Sequence, residues 1–354
     1  MLGSASDWRN TSRPVMSSSS QGVKAHGRVR RAKFLLVLGS LLAGAVMDAA
    51  FPPTAYAAPL ADAYMTFGKD YNDNGQYDRA IKLFDEAIKL DPYGANAFLN
   101  RGNSYRGSGK PERAILDYDR AIKLDPHNYL TYISRGKAYN DKAEYTRAIK
   151  DFDQAIKLNR HDANAFINRG NSYRETDKLD LALQDYGQAI KLNPREWIAY
   201  VHRGKVYNDK GQYGLAIQDF DRAIKLNPKD ANAFLNRGIA YRGTNEHDLA
   251  MKDYDQAIKL NPGNYVAFIS RGSAYNDKGQ YDLAIKDLDR AIELNPVDAN
   301  AFRIRGNAYT AKGEQDRAKL NYDQANSLKL DHGAVASYGG AERSDSGDDM
   351  KHKD

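Results

Sequence analysis

The sequence predicts an all-α fold made of eight repeated helical pairs, because three features recur with one period. A glycine returns every 34 residues from Gly68 to Gly306 without an insertion, and a tyrosine follows each glycine by three residues. Alanines recur in the same phase, for example at Ala80 and Ala318. Such a period is typical of arrays in which each unit buries its apolar face against its neighbours. The repeats, numbered internally from position 1, are 61–94, 95–128, 129–162, 163–196, 197–230, 231–264, 265–298 and 299–332.

Each repeat is predicted to hold two helices separated by a tight turn. Position 15 is usually glycine, as expected for a left-handed helix end, and Asp177 and Asn245 tolerate that conformation, whereas Ala143 is an exception. Acidic residues such as Asp78 open the second helix, where they favour its positive end. A proline at position 32 prevents this helix from continuing in every repeat except the third and the eighth.

These phased positions closely resemble tetratricopeptide repeats. The family pattern is an aromatic at position 4, Gly at 8, Tyr at 11, Ala at 20 and 27, an aromatic at 24 and Pro at 32. It is nearly complete over 272 of 354 residues, with departures at Leu288, Arg160 and Leu330. The resemblance implies a right-handed superhelical α-solenoid of antiparallel helix pairs, and its Asn-Arg-Gly style resembles bacterial members.

Position 7, usually apolar in that family, is arginine from repeat 2 onward, and position 23 is aspartate in repeats 2 to 7. Repeat 1 has Phe67 and Leu83 instead, so both positions become apolar together. The sequence therefore predicts a partly buried Arg–Asp pair within each of repeats 2 to 7, which sets register more than stability. Arg305 faces Asn321 and breaks the pattern. The predicted pairs are Arg101–Asp117, Arg135–Asp151, Arg169–Asp185, Arg203–Asp219, Arg237–Asp253 and Arg271–Asp287.

No catalytic residue, cofactor or metal site is predicted. Runs such as Asp151-Phe152-Asp153 suggest paired carboxylates, but residues two apart on a helix point in nearly opposite directions. The second aspartate lies four residues before Lys157 and is expected to form a solvated ion pair with it. The scattered histidines form no zinc or nucleophile motif, and the chain has no cysteine.

The net charge of +6 belongs to the N-terminus. Residues 1–57 hold seven basic and two acidic residues, whereas the remaining chain holds 45 basic and 44 acidic ones. A nearly neutral body has no electrostatic footprint for a phosphate backbone, so nucleic acid is not an expected partner.

Residues 1–57 are predicted to be an N-terminal extension with a signal peptide, and translation starts at Met1 or at Met16. Basic residues precede an apolar run at 34–47, which is short for a membrane span but suits a signal sequence. Residues 55–57 fit a signal-peptidase site and predict cleavage before Ala58. The sequence therefore predicts an exported, periplasmic protein. The alternatives are an uncleaved leader on a cytosolic protein and anchoring in the inner membrane through residues 34–47, the only membrane contact expected.

The array is expected to end at repeat 8. Positions 21 and 28 become Lys319 and Asn326 there, which gives the polar outer face that a terminal repeat needs. Residues 333–354, with many charges, are predicted to be a disordered tail.

In the family, the first helices line a concave groove and expose positions 2, 5, 6, 9, 12 and 13. Even repeats here place asparagine at 6 and often at 9 with arginine at 12, whereas odd repeats place lysine at 9 and asparagine at 12. A carboxamide can donate to a carbonyl and accept from an N–H, so a row of asparagines suits an extended peptide. The row resembles the asparagine ladder of O-linked glycosyltransferase repeats, or it is only family background. The candidate groove residues are Asn100, Asn103, Arg106, Lys137, Asn140, Asn168, Asn171, Arg174, Lys205, Asn208, Asn236, Arg242 and Asn276.

The expected function is a scaffold or adaptor that binds proteins or extended peptides and supports assembly of a cell-envelope complex, without catalysis of its own. Two alternatives stay open. One is a substrate-recognition arm for a partner enzyme such as a glycosyltransferase, and the other is a solenoid that binds glycans in its polar groove.

Overall fold

The structure, a computed structural model, describes residues 54–336, which form sixteen helices and no strand. The first helices of successive repeats are α1 (Thr54–Asp73), α3 (Ala95–Gly107), α5 (Tyr129–Asp141), α7 (Ala163–Glu175), α9 (Trp197–Asp209), α11 (Ala231–Gly243), α13 (Tyr265–Asp277) and α15 (Ala299–Ala311). The second helices are α2 (Tyr77–Leu90), α4 (Pro111–Leu124), α6 (Tyr145–Leu158), α8 (Leu179–Leu192), α10 (Tyr213–Leu226), α12 (His247–Leu260), α14 (Tyr281–Leu294) and α16 (Gln315–Ala336).

The chain divides into two compact units between Pro126 and His127. The helices of repeats 1 and 2 lie in the first unit and those of repeats 3 to 8 in the second. Within each unit the two helices of a repeat pack together, and each second helix packs on the first helix of the next repeat. First helices of consecutive repeats also touch, whereas among the described residues second helices of consecutive repeats do not. The predicted solenoid of helix pairs is confirmed, and the first helices form its inner layer within each unit.

Two predicted boundaries differ from the structure. The first helix begins at Thr54, before the first repeat and before the predicted cleavage at Ala58. The last helix continues to Ala336, four residues into the segment predicted to be a disordered tail. Leu330 replaces the proline that ends the second helix in most repeats, so nothing stops the last helix there. The remaining leader (1–53) and tail (337–354) lie outside the described residues.

The glycine at position 8 lets a ring at position 24 lie directly against the first helix. A Cβ on Gly170 would lie 2.7 Å from the Tyr186 ring, and one on Gly136 would lie 2.6 Å from the Phe152 ring. These rings are fully buried, so the close approach builds the core of each repeat.

The turn between the helices adopts the left-handed conformation predicted for position 15. Gly211 has a φ of 68°, and Asp177 and Asn245 have 58° and 63°. Ala143, the sequence exception, adopts the same conformation with a φ of 57°. The turn therefore imposes its geometry on a residue with a Cβ, and that residue is strained.

Replacing Ala143 with glycine is expected to stabilise the protein by about 1 kcal/mol, because glycine removes the left-handed penalty. Urea unfolding measures the change. Gly211→Ala is the matched variant, and we expect it to destabilise by a similar amount. A loss of stability in Ala143→Gly would show that the alanine is not strained.

All six predicted Arg–Asp pairs are present. Arg169 is typical: its Nε and Nη2 donate to the two carboxylate oxygens of Asp185 at 2.8 and 2.7 Å. The same two-pronged contact forms at Arg101, Arg135, Arg203, Arg237 and Arg271. Burial raises the pKa of Asp185 despite these hydrogen bonds, so the loss of hydration outweighs the attraction. A role in register is consistent with that balance.

The arginines also reach the preceding repeat. Arg169 Nη1 donates to Asp153 at 2.6 Å, so the second aspartate of the Asp-aromatic-Asp run bonds an arginine of the next repeat. The predicted partner, the lysine four residues on, is not the observed one. Equivalent bonds join Arg101 to Asp85, Arg237 to Asp221, Arg271 to Asp255 and Arg305 to Asp289. Repeat 4 carries Gly187 at this position, where no such bond to Arg203 can form.

Candidate peptide-binding groove

The candidate groove is the inner layer of first helices, and each predicted asparagine there already makes an internal hydrogen bond. At position 6, the Nδ2 atoms of Asn100, Asn168 and Asn236 donate to the backbone carbonyl four residues earlier, at 2.7, 2.6 and 2.8 Å. Asn100 and Asn168 are half-buried, but Asn236 is only 8% exposed. Asn236 therefore offers little surface to a ligand, and its place in the groove stays a prediction.

The asparagines at position 9 are held from the other side of the amide. Asn103 Oδ1 accepts from the Tyr118 hydroxyl at 2.9 Å, and Asn171 Oδ1 accepts from Tyr186 at 2.7 Å. With its oxygen bonded inward, each of these amides leaves its Nδ2 as the available group. Position 6 has the opposite orientation and leaves its Oδ1 available.

The asparagines at position 12 of odd repeats join neighbouring repeats. Asn140 Oδ1 accepts from Ser172 Oγ at 2.8 Å. Asn208 and Asn276 instead donate to the carbonyls of Asn236 and Ile304, at 2.9 and 3.1 Å. All three asparagines form a hydrogen bond to the next repeat, so they stabilise the packing of neighbouring repeats as well as lining the groove.

The change of partner has a cause in the sequence. Position 10 is serine in repeats 2 and 4 but alanine in repeats 6 and 8. Without a serine hydroxyl, the Oδ1 atoms of Asn208 and Asn276 are buried and have no hydrogen-bond partner among the described residues. The sequence reasoning did not consider position 10, where this alternation was visible.

The predicted cations lie on first helices of both units. Arg242 Nε bonds Asp277 of the next repeat at 2.6 Å, and Arg174 pairs with Glu175 at 2.9 Å. Arg106, Lys137 and Lys205 are half-buried on the first helices. The groove therefore mixes both signs of charge and has no strong preference for an acidic or a basic ligand.

Position 5 was expected to be exposed, and it is not. Ile133, Ile167 and Val201 are 5%, 6% and 6% exposed, so this position belongs to the core. Apolar contact in the groove comes from position 2 of odd repeats instead, where Leu130 and Ile198 are exposed. In repeat 4, between these two, Asn168 and Asn171 present their acceptor and donor.

Tyr254 shows what happens when the position-9 asparagine is missing. Repeat 6 has Ile239 there, and the fully buried Tyr254 hydroxyl has no hydrogen-bond partner among the described residues. Burial also raises the pKa of Tyr254, so the hydroxyl stays neutral.

Tyr254→Phe is therefore expected to be neutral or to stabilise by about 1 kcal/mol, because it removes an unsatisfied buried hydroxyl. Phe152 and Phe220 fill the same position in odd repeats, so the ring fits. Tyr186→Phe should destabilise by about 1 kcal/mol, because it removes the bond to Asn171. Thermal unfolding of both variants checks the difference in sign, and equal effects would contradict the assignment.

Within the described residues, no group of three or more histidine, aspartate or glutamate side chains could hold a metal ion. In the same range, no helix combines the length and apolar character needed to cross a membrane.

The sequence matches family models for tandem repeats. A model described as TPR repeat matches 136–176, 204–244 and 272–313, and two described as Tetratricopeptide repeat match 65–129, 163–196 and 231–264. A search of curated proteins found no match.

Solved structures share the fold. A tetratricopeptide repeat protein from Parabacteroides merdae is 22% identical with a TM-score of 0.56, over 69% of this chain and 96% of that one. PilF of Pseudomonas aeruginosa is 20% identical with a TM-score of 0.54, over 60% and 96%. A chain of the APC/C Cut9–Hcn1 hetero-tetramer is 19% identical with a TM-score of 0.62. The match covers 72% of the present chain and only 52% of the hetero-tetramer chain, so the present chain spans about half the length of that relative.

Proposed function

The chain belongs to the tetratricopeptide repeat family, and we propose that it is a scaffold whose first-helix groove binds an extended peptide by the backbone. The observation that carries the proposal is the opposed orientation of Asn168 and Asn171. Asn168 has its Nδ2 bonded inward and Asn171 its Oδ1, so the helix presents one acceptor and one donor three residues apart.

One acceptor and one donor match one peptide unit, which offers an N–H and a C=O. Residues three apart on a helix are surface neighbours, so a single segment of ligand reaches both amides. Because these contacts are made to the ligand's backbone, the affinity depends only weakly on the ligand's sequence. The exposed Leu130 and Ile198 on the flanking repeats then favour ligands with apolar side chains on either side of that contact.

Asn171→Asp tests the donor. Aspartate keeps the oxygen that accepts from Tyr186 but removes the Nδ2, so binding of a selected peptide should weaken about tenfold, as expected for one lost polar contact. Asn168→Asp is the matched variant of equal charge: it loses the internal bond to the Asn164 carbonyl but keeps an acceptor oxygen for the ligand, so a smaller loss is expected. Isothermal titration with a peptide selected from a random library measures both.

A second measurement separates backbone reading from side-chain reading. Methylation of one peptide nitrogen of the ligand should weaken binding about tenfold at a single position along the ligand, because it removes the N–H that donates to Asn168 Oδ1. Asn326→Ala on the outer face of repeat 8 is the neutral control. Equal affinity of all these variants, or selection of glycans rather than peptides, would contradict the proposal.

We also propose an exported location and a role in assembling a cell-envelope complex. The support is the sequence of residues 28–57, with its basic, apolar and small-residue segments in the order of a signal peptide. Cell fractionation and N-terminal sequencing test it, and a mature chain beginning at Ala58 in the periplasm is the expected result. A membrane-bound chain that retains residues 34–47 would favour the anchored alternative.

A further inference from the structure

Position 19 of the second helix changes character along the array. It is arginine in repeats 1, 2, 3 and 8, and leucine in repeats 4 to 7. The four consecutive leucines, called the leucine row below, are Leu181, Leu215, Leu249 and Leu283. They are between 38% and 45% exposed, and all lie in the second unit.

Where position 19 is arginine, its side chain makes contacts within its own repeat. Arg147 lies over the ring of Tyr139 with 5.7 Å to its centroid and donates to Glu144 at 2.7 Å. Arg317 does the same with Tyr309 and Glu314. Arg79 and Arg113 also cover the position-11 ring. In repeats 4 to 7 leucine replaces this arginine, so the contacts of the charged group are lost and apolar surface is exposed to water in four successive repeats. Such exposed apolar surface points to an interface.

We propose that the leucine row is a contact surface between two copies of this chain, packed around a two-fold axis. The row is self-complementary in spacing, because equivalent positions of successive repeats recur at the same interval in both copies. An axis between repeats 5 and 6 places Leu215 against Leu249 of the second copy and Leu181 against Leu283. Such an isologous contact is the commonest form of homodimer.

The charges beside the row fit a second copy. Asp180, Asp248 and Asp282 border the leucines, and each bonds a lysine of the following repeat, at 2.8, 2.6 and 2.6 Å. This border is neutralised, so it gives a strongly charged partner little to gain.

The ends of the row are complementary as well. Repeat 3 of one copy faces repeat 8 of the other, so the Arg147–Glu144 pair meets the Arg317–Glu314 pair. Each arginine then has the second copy's glutamate within reach, and neither end carries unbalanced charge.

The area that the two copies bury against each other limits the affinity of the dimer. A standard stable interface buries at least ~1,200 Å² in total. Four leucines with less than half of their surface exposed supply only part of that area. We therefore expect a dimer that dissociates on dilution, with a dissociation constant on the order of micromolar or weaker. The first-helix groove lies on other helices and stays open in it.

Sedimentation velocity of the purified chain over a concentration series tests the proposal. The mass should rise from monomer to dimer with concentration. Leu215→Arg with Leu249→Arg should keep the chain monomeric throughout, and this variant is expected to fold because repeats 1 to 3 use arginine at the same position. Leu116→Arg, at an exposed leucine of repeat 2 in the first unit, should leave dimerisation unchanged.

Disulfide trapping tests the register, since the chain has no cysteine of its own. Leu215→Cys with Leu249→Cys should form covalent dimers on mild oxidation. Leu181→Cys with Leu215→Cys should form far fewer, because those two positions do not face each other across the axis. A monomer at every concentration, dimers unaffected by Leu215→Arg and Leu249→Arg, or equal trapping of both cysteine pairs would overturn the proposal. Titration of the selected peptide into the Leu215→Arg, Leu249→Arg variant shows whether the groove still binds peptide. Failure of the dimer proposal can thus be told apart from failure of the proposed peptide binding.

Discussion

Replacing Arg237 with phenylalanine is expected to destabilise the protein by about 3–5 kcal/mol, because it leaves a buried carboxylate without its partner. Asp253 is only 5% exposed and receives Nε and Nη2 of Arg237, both at 2.7 Å. The third contact, from Arg237 Nη1 to Asp221, is exposed and contributes little.

The double variant Arg237→Phe with Asp253→Leu should recover most of that loss. Repeat 1 carries this apolar combination, Phe67 with Leu83, at the same two positions, so the space accepts it. Urea unfolding of the wild type, both single variants and the double variant forms a complete cycle. If the double variant were as unstable as Arg237→Phe alone, the pair would be needed for stability itself and not only for register.

Gly170→Ala is expected to destabilise by about 1–3 kcal/mol, because the new Cβ would lie 2.7 Å from the Tyr186 ring. That ring cannot retreat easily, since its hydroxyl bonds Asn171 and its face stacks on His202 with centroids 5.7 Å apart. The helix propensity of alanine offsets only part of the clash.

Gly272→Ala is the matched variant for this prediction. Its nearest neighbour is Leu288, at 3.0 Å, which replaces the ring of the other repeats and can change rotamer. Its stability should therefore stay close to that of the wild type. Thermal unfolding distinguishes the two, and equal losses would show that close approach to the ring is not what selects glycine.

Much of the fold could be predicted because a repeat shows each requirement eight times. The helix pairs, the left-handed turn and the Arg–Asp pairs depend on contacts within one repeat, where the spacing in sequence is constant. The extent of the last helix was not predicted. Leu330 stands where most repeats have a helix-ending proline, and the lack of a proline does not specify where a helix ends.

The candidate groove was less predictable. Residue types placed Asn168 and Asn171 on one helix face, but not the direction of their amides. That direction depends on Tyr186 and on a backbone carbonyl, and Asn236 became buried although its sequence context is nearly the same. The partner of Asp153 was also missed, because it comes from the next repeat and not from its own helix.

The sequence by itself determined the repeat, the helix pairs and the left-handed turns, because these follow from local sterics and from periodic burial. Only the tertiary structure decided which polar groups are bonded inward and which face the groove, and that the leucine row is left exposed. Hydrogen bonds and burial depend on neighbours one repeat away, and the spacing of residues along the chain does not specify how those neighbours are oriented.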